Sequence, residues 1–377
     1  MRALLSTYGS RGDVEPMVAL AVQLQRRGAD VRMCAPPDRE FVDLLARERV
    51  PLVPFVKPWR SWERPPTAEE RHQRVTDFIA AQYDCVAEAA VGCDVVVATA
   101  MSQFVGPSVA EKLGLPYYYA LFCPDVLDGL DGRGFNELFK EPLDDHRASV
   151  GLPPVSDVGE FMFSAHPLLA ADPVLAPWRG AAGLGVVQTG AWALQDDRPL
   201  PADLLTFLDG GEKPVYVGFG SMRTVNEDSA RVAVAAIRAQ GRRTVIGRGW
   251  AGLDVIDGQS DCFVVEEVNH QKLFNQVAAV VHHGGAGTTT TAFRAGTPQV
   301  VVPQGGDQAY WAGRASELGV GVAHDGPTPT FESLADALSA ALIPETRARA
   351  AAMAAEYRMD GASTAAQLLL AGDPAGR

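Results

Sequence analysis

No stretch of this 377-residue chain approaches the roughly 18 consecutive apolar residues that a membrane span needs. The opening run, Met1-Arg-Ala-Leu-Leu-Ser, passes into a Gly/Arg/Asp loop by residue 9, too soon for a secretory signal, so a soluble cytoplasmic protein is expected. Positive charge is scarce. Lys and Arg number 33 against 46 Asp and Glu, a net charge of −13. Nucleic acids and anionic membranes demand a basic footprint, so neither is expected as a partner. A phosphate ligand survives this test, because a few local donors can hold one inside an acidic protein. The five cysteines form no CxxC pair and no metal-ligand spacing, which argues against a disulfide framework or a zinc site. No internal repeat or low-complexity tract is evident.

What is present is apolar sequence in short runs. Hydrophobic residues make up 47% and charged ones 21%, enough for two cores of ordinary size. In the first half, β-rich runs over residues 2–7, 30–35, 94–98 and 116–122 alternate with helical patterns near 16–27, 39–47, 68–90 and 103–113. The second half repeats the theme with runs at 215–219, 243–246, 262–266, 279–282 and 299–302. Helical patterns there cover 228–239, 286–295, 308–318 and 331–342. Short apolar strands that each lead into a helix predict α/β folding, with doubly wound parallel sheets covered on both faces. Turn formers between about Asp172 and Pro214 place a boundary there. The expected organisation is a first domain over 1–195, a linker over 196–213, a second domain over 214–360 and a last helix over 361–377 returning to the first domain.

Four segments carry chemistry. In Ser6-Thr-Tyr-Gly-Ser-Arg-Gly-Asp-Val-Glu-Pro16 a strand turns through glycines into a helix. Ser10, Arg11 and Gly12 line that turn, and Pro16 suits a first helical turn. Asp13 reads equally as a general base or as a helix cap. In Val280-Val-His-His-Gly-Gly-Ala-Gly-Thr288 a buried strand ends in two histidines and a glycine-rich turn before a helix. Backbone N–H groups of Gly285, Ala286 and Gly287, the Thr288 hydroxyl and His282 or His283 make a diphosphate cradle without lysine or metal. The spacing is not that of the dinucleotide fingerprint. Gly218-Phe-Gly-Ser221 offers the Ser221 hydroxyl to the same phosphates. In Pro303-Gln-Gly-Gly-Asp-Gln308, Asp307 and Gln308 supply acceptors and donors suited to sugar hydroxyls.

These segments, with Met33-Cys-Ala-Pro-Pro-Asp38 and His146-Arg-Ala-Ser, resemble the antibiotic and sterol glycosyltransferases. Closest in appearance are the enzymes that decorate vancomycin-group glycopeptides. The matching segments run in the family's order along nearly the whole chain. The resemblance implies a GT-B fold, two Rossmann-like domains facing across a cleft. It also implies inverting, metal-independent transfer of a sugar, as from a TDP-activated deoxysugar or hexose, onto a hydroxyl of a small-molecule aglycone, with no cofactor. Carried over residue by residue, Asp13 is the base and His282 a donor to the diphosphate. Gly287 and Thr288 belong to the diphosphate loop, and Asp307 with Gln308 contacts the sugar. Glu267-Val-Asn-His-Gln271 lines the nucleobase pocket through Val268 and Gln271, Val268 standing where many relatives have an aromatic ring. Metal-dependent transferases normally show an Asp-x-Asp triplet, and none is found here. A sugar-nucleotide epimerase and a non-catalytic accessory protein are the alternative readings of the same fold.

Overall fold

The computed structural model describes residues 1–61, 67–128, 133–163, 167–180, 184–222, 227–250, 252–254 and 257–372. Its contacts divide the chain into two units. The first holds Met1–Pro173, Pro177–Leu194 and Met359–Arg377, the second Val174–Ala176 and Gln195–Arg358.

The first unit is built on seven strands: β1 (Arg2–Tyr8), β2 (Asp30–Ala35), β3 (Leu52–Pro54), β4 (Val95–Ala100), β5 (Tyr117–Leu121), β6 (Leu168–Leu169) and β7 (Val187–Gln188). Their order is β3-β2-β1-β4-β5-β6-β7, and every pairing is parallel. Helices α1 (Arg11–Gln25), α2 (Arg39–Arg47), α3 (Ala68–Ala90) and α4 (Gly106–Leu113) follow β1 to β4 in turn. One face of the sheet, with Ala3, Leu5, Val31, Met33, Val95 and Val97, packs on Val14, Met17, Val18 and Leu24 of α1. That alternation along β1 and β4 is the period-two pattern of a strand with both faces covered.

The second unit has six strands: β8 (Val215–Gly218), β9 (Thr244–Gly247), β10 (Cys262–Val265), β11 (Ala279–His282), β12 (Gln299–Val301) and β13 (Gly321–Ala323). The order is β10-β9-β8-β11-β12-β13, again parallel throughout. Around it run α5 (Ala202–Asp209), α6 (Glu227–Ala239), α7 (Ala286–Arg294), α8 (Gln308–Glu317), α9 (Phe331–Ala341) and α10 (Pro344–Ala354). Val215, Val217, Ala279 and Val281 face one core, while Tyr216 and Val280 face a second on the other side of the sheet. In both sheets the strand order reverses at one point, between β1 and β4 and between β8 and β11. Open α/β sheets bind ligands at the carboxyl ends of the strands flanking such a reversal.

The nine strand runs legible in the sequence are all present. The four that were not, β3, β6, β7 and β13, have two or three residues each, too few to leave an apolar run. Two local expectations change. Helix α1 begins at Arg11, so Pro16 sits in its second turn and the Arg11–Asp13 segment is helix rather than loop. Residues 196–213, read as linker, carry α5 instead. Its Leu204 and Leu208 enter the core of the second unit. Asn269, 1% exposed, donates its amide hydrogens to the carbonyls of Asp196 and Arg198, both at 2.8 Å, and ties the start of that segment down. The closing helix α11 (Gly361–Ala371) lies in the first unit, with Ala362, Ala365, Ala366 and Leu369 in the core shared with α1.

Candidate functional site

In the first unit the site forms at the end of β1. Ser10 precedes α1, and Asp13 is the third residue of the helix. The Asp13 carboxylate folds back to accept the Ser10 N–H at 2.7 Å and the Ser10 hydroxyl at 3.2 Å. Asp13 is therefore not the cap itself. It is the acidic partner that closes the helix start onto Ser10, an arrangement that satisfies an orphan N–H and favours the helix dipole. Gly9 makes this geometry possible, because a Cβ there would lie 2.2 Å from an Asp13 carboxylate oxygen. Gly12 meets nothing closer than the Ser10 hydroxyl at 3.7 Å, so its part is that of a helical residue, not a turn former. Arg11 reaches Glu15 at 3.4 Å one turn along.

The second unit gathers three loops. Strand β11 ends at His282, which pairs in register with Gly218. His282 is 0% exposed, and its ring is fully engaged: Nδ1 accepts the Gly284 N–H at 3.0 Å, and Nε2–H donates to the Gln299 side-chain oxygen at 2.9 Å. Burial first, then the neighbouring His283, pushes its pKa down to about 3. A neutral imidazole with both nitrogens spent has nothing to offer a phosphate. Of the two histidines offered for the diphosphate, His282 is the one already engaged on both nitrogens.

His283 is the first residue past the strand. Its Nδ1 is enclosed and has no partner among the described residues, and burial pushes its pKa down to about 4, so the ring is neutral near pH 7. It lies between two glycines. A Cβ at Gly220 would come 3.0 Å from its Cε1, and one at Gly285 would come 2.5 Å from its Nε2. Gly285 caps α7 without a side chain, and the first turn of α7 contains no acid. The N–H groups of Ala286, Gly287 and Thr288 accordingly lack a capping side chain among the described residues, the kind of helix start that can take an anion. Thr289 and Thr291 turn their hydroxyls back onto the carbonyls of Gly285 and Gly287, at 3.0 and 2.7 Å. Thr288 makes no such bond. Alternation along β11 could not have separated the two histidines, because both faces of the strand are buried; only the place where the strand ends does so.

Ser221 follows Gly220 in the adjoining turn and so comes beside His283. The Gly249 turn closes on the same place, with Trp250 N–H donating to the Gly220 carbonyl at 2.9 Å. The third loop, Gln304–Gln308, locks onto the other two. Gly284, at φ +91°, leaves room for Gln308, whose backbone oxygen would lie 3.0 Å from an added Cβ. Gln308 is buried. Its side-chain oxygen accepts from the N–H groups of Gln304 and Gly305, and its amide donates to the Met222 sulfur at 3.4 Å. Of the expected sugar-gripping pair, Gln308 is spent on holding the loops together. Asp307 stays partly exposed, one carboxylate oxygen accepting the Trp311 indole N–H at 2.9 Å.

The expected nucleobase contacts are not assembled. Val268 is 7% exposed and packs in the core with Leu204, Leu273 and Phe274, so it presents no face to a base. Gln271 uses its side-chain oxygen on Asp196 N–H at 3.4 Å and on Arg294 at 3.3 Å, in the last turn of α7. That segment works as a brace for residues 196–198.

Comparison with known proteins agrees with this architecture. Residues 3–130 match the glycosyltransferase family 28 N-terminal domain, and residues 259–366 match the erythromycin biosynthesis protein CIII-like C-terminal domain. The chain is 52% identical to glycosyltransferase GtfE of Amycolatopsis orientalis, over 98% of this chain and 97% of that protein. It is 50% identical to vancomycin aglycone glucosyltransferase of the same organism, with the same coverage. To dTDP-epi-vancosaminyltransferase, also from Amycolatopsis orientalis, it is 50% identical over 93% of this chain and 92% of that one. Among solved structures, the glycotransferase of kitacinnamycin superimposes with a TM-score of 0.78 at 20% identity, covering 99% of both chains. The glycosyltransferase VinC in complex with DTDP gives 0.71 at 23% identity, over 98% of this chain and 99% of that one. The structural likenesses fix the fold, and identity of half the residues along nearly the full length fixes the relationship: the chain belongs to the glycosyltransferases that join a family 28 N-terminal domain to an erythromycin CIII-like C-terminal domain.

Proposed function

We propose that this glycosyltransferase moves a sugar from a thymidine diphosphate donor onto a hydroxyl of a glycopeptide aglycone, with inversion and without a metal ion, in the cytoplasm. The observation that carries the donor half is the start of α7, which no side chain caps among the described residues, with the neutral His283 ring beside it. The leaving diphosphate gathers negative charge as its bond to the sugar breaks. Neutral His283, the Thr288 and Ser221 hydroxyls and the first N–H groups of α7 are fixed donors that stabilise that charge in place of a cation. Asp307 accepts hydrogen bonds from the sugar hydroxyls.

Asp13 takes the proton of the acceptor hydroxyl as its oxygen attacks the anomeric carbon from the face opposite the diphosphate. A carboxylate is a weak base, so proton transfer runs together with attack. Support for this substrate pair is the half-identity to proteins named for vancomycin aglycone and dTDP-epi-vancosamine, and the DTDP complex of a structural neighbour.

The test combines product mass with one variant. Wild-type protein given TDP-glucose and vancomycin aglycone should yield the glycosylated aglycone and free TDP. His283→Ala should cut turnover by about 10²–10³, the usual loss on removing one preorganised donor, and weaken TDP in calorimetric titration. Full activity in that variant would remove the cradle from the mechanism.

A further inference from the structure

The Met33–Asp38 segment has no part in the mechanism above, yet its last residue is placed unusually. Asp38 stands immediately before α2 and is 4% exposed. An aspartate at that position normally caps its own helix. Here the side chain makes no such bond. Its two oxygens instead accept from the N–H groups of Trp59, at 2.5 Å, and Arg60, at 3.0 Å.

The loop so held, residues 55–60, is tied at two more points. Phe55 N–H donates to the Ala35 carbonyl at 3.0 Å, and the Tyr8 hydroxyl donates to the Lys57 carbonyl at 2.9 Å. Between these ties Val56 is forced to φ +60° while its side chain stays exposed. A β-branched residue is strained there, and such strain persists only where surrounding bonds over-determine the backbone. Tyr8 also meets the rings of Phe55, Trp59 and Phe78 at 5.6, 5.4 and 5.2 Å. Tyr8 is the last residue of β1, and the next is Gly9, onto which the Asp13 carboxylate folds.

We infer that Asp38 is a positioning residue for the acceptor: by clamping the Val56–Arg60 loop against the end of β1, it fixes an apolar wall that turns an aromatic or apolar acceptor's hydroxyl toward Asp13. This rests on Asp13 being the base. The helix forgoes its side-chain cap, and the loop keeps a strained valine, in return for a loop whose place against the end of β1 is set by three independent anchors.

Two-substrate steady-state kinetics with vancomycin aglycone and TDP-glucose tests it. Asp38→Ala should raise the acceptor KM about tenfold, the scale of losing charge-assisted hydrogen bonds, with the donor KM unchanged. Asp38→Asn keeps one accepting oxygen and should fall between wild type and Asp38→Ala. Val56→Gly, which relieves the strain and frees the loop, should raise the acceptor KM without lowering Tm. That variant decides the matter if Asp38→Ala does not fold. An unchanged acceptor KM in the folded variants, or donor and acceptor KM rising together, overturns the proposal while transfer itself stands. Absence of transfer in the wild type is a different failure, of the glycopeptide reading, and the wall falls with it.

Discussion

A buried imidazole with both nitrogens engaged can neither greet a ligand nor accept a proton cheaply, and His282 is in that state. Its neighbour differs by one step along the backbone and faces the loop. His282→Ala should therefore lower stability, leaving the Gly284 N–H and the Gln299 oxygen without their partner, at a cost of about 1–3 kcal/mol each. Donor binding in the folded fraction should be retained, which is the reverse of the result expected for His283→Ala. Thermal melting beside TDP titration separates the two. The pair also sets an acid limit. Burial holds the folded-state pKa values at about 3 and about 4, below the ordinary histidine value of 6.5. The unfolded chain thus binds more protons as pH falls below about 6.5, and stability drops with falling pH by up to about 1.4 kcal/mol per unit for each ring. His283→Asn, which removes one titrating ring, should flatten the fall measured between pH 6.5 and 5. An identical slope in both proteins would contradict the buried neutral state.

Each element of the proposed mechanism is a helix start. At α1 the turn is closed by its own acid, and at α7 it is left open. The Asp13 carboxylate closes the helix start onto Ser10, which leaves its proposed part as base to be tested. Asp13→Asn keeps an oxygen for the Ser10 N–H, so Tm should move little while turnover falls by about 10²–10⁴. Gly9→Ala should reproduce much of that loss with Asp13 intact, because the new methyl occupies the place of the carboxylate. Full activity in Asp13→Asn would send the search for the base to Asp307. At α7 the open turn supplies partial positive charge where other transferases place a cation. Transfer should then survive excess EDTA, and loss on chelation with rescue by Mg²⁺ or Mn²⁺ would show the leaving group to be handled otherwise.

At the scale of the whole molecule, the chain returns to its beginning. Helix α11 carries four core residues back to the first unit, and Gly361 at its start lies so close to the Gly190 and Ala191 carbonyls that a Cβ would sit 2.3 and 2.4 Å from them. Gly361→Ala should lower the Tm of the first unit by several degrees, about 4–8 °C per kcal/mol in a small domain and less in one this large. Donor binding, which the proposed mechanism assigns to the second unit, should be spared. Differential scanning calorimetry with and without TDP reports the two effects separately, and a variant as stable as wild type would mean that the approach relaxes at no cost.

What the amino-acid order determined by itself is periodic or local. Apolar runs of four to seven residues announced the main strands, and glycine-rich turns after β1, β8 and β11 marked the ends of strands at which the sheets reverse. Those signals need no partner, because a strand's alternation and a glycine's freedom are properties of a few residues. Tertiary structure alone decided which polar side chains are available. Gln308, Gln271 and Val268 sit in motifs that read as binding surface, yet distant residues claim them: Met222, Asp196 and Arg294, and the core around Phe274. Likewise Asp38 stands where an aspartate commonly caps a helix, yet a loop about twenty residues on takes both its oxygens. A hydrogen-bonding group has one set of lone pairs and protons, and which partner takes them is settled only when the chain has folded.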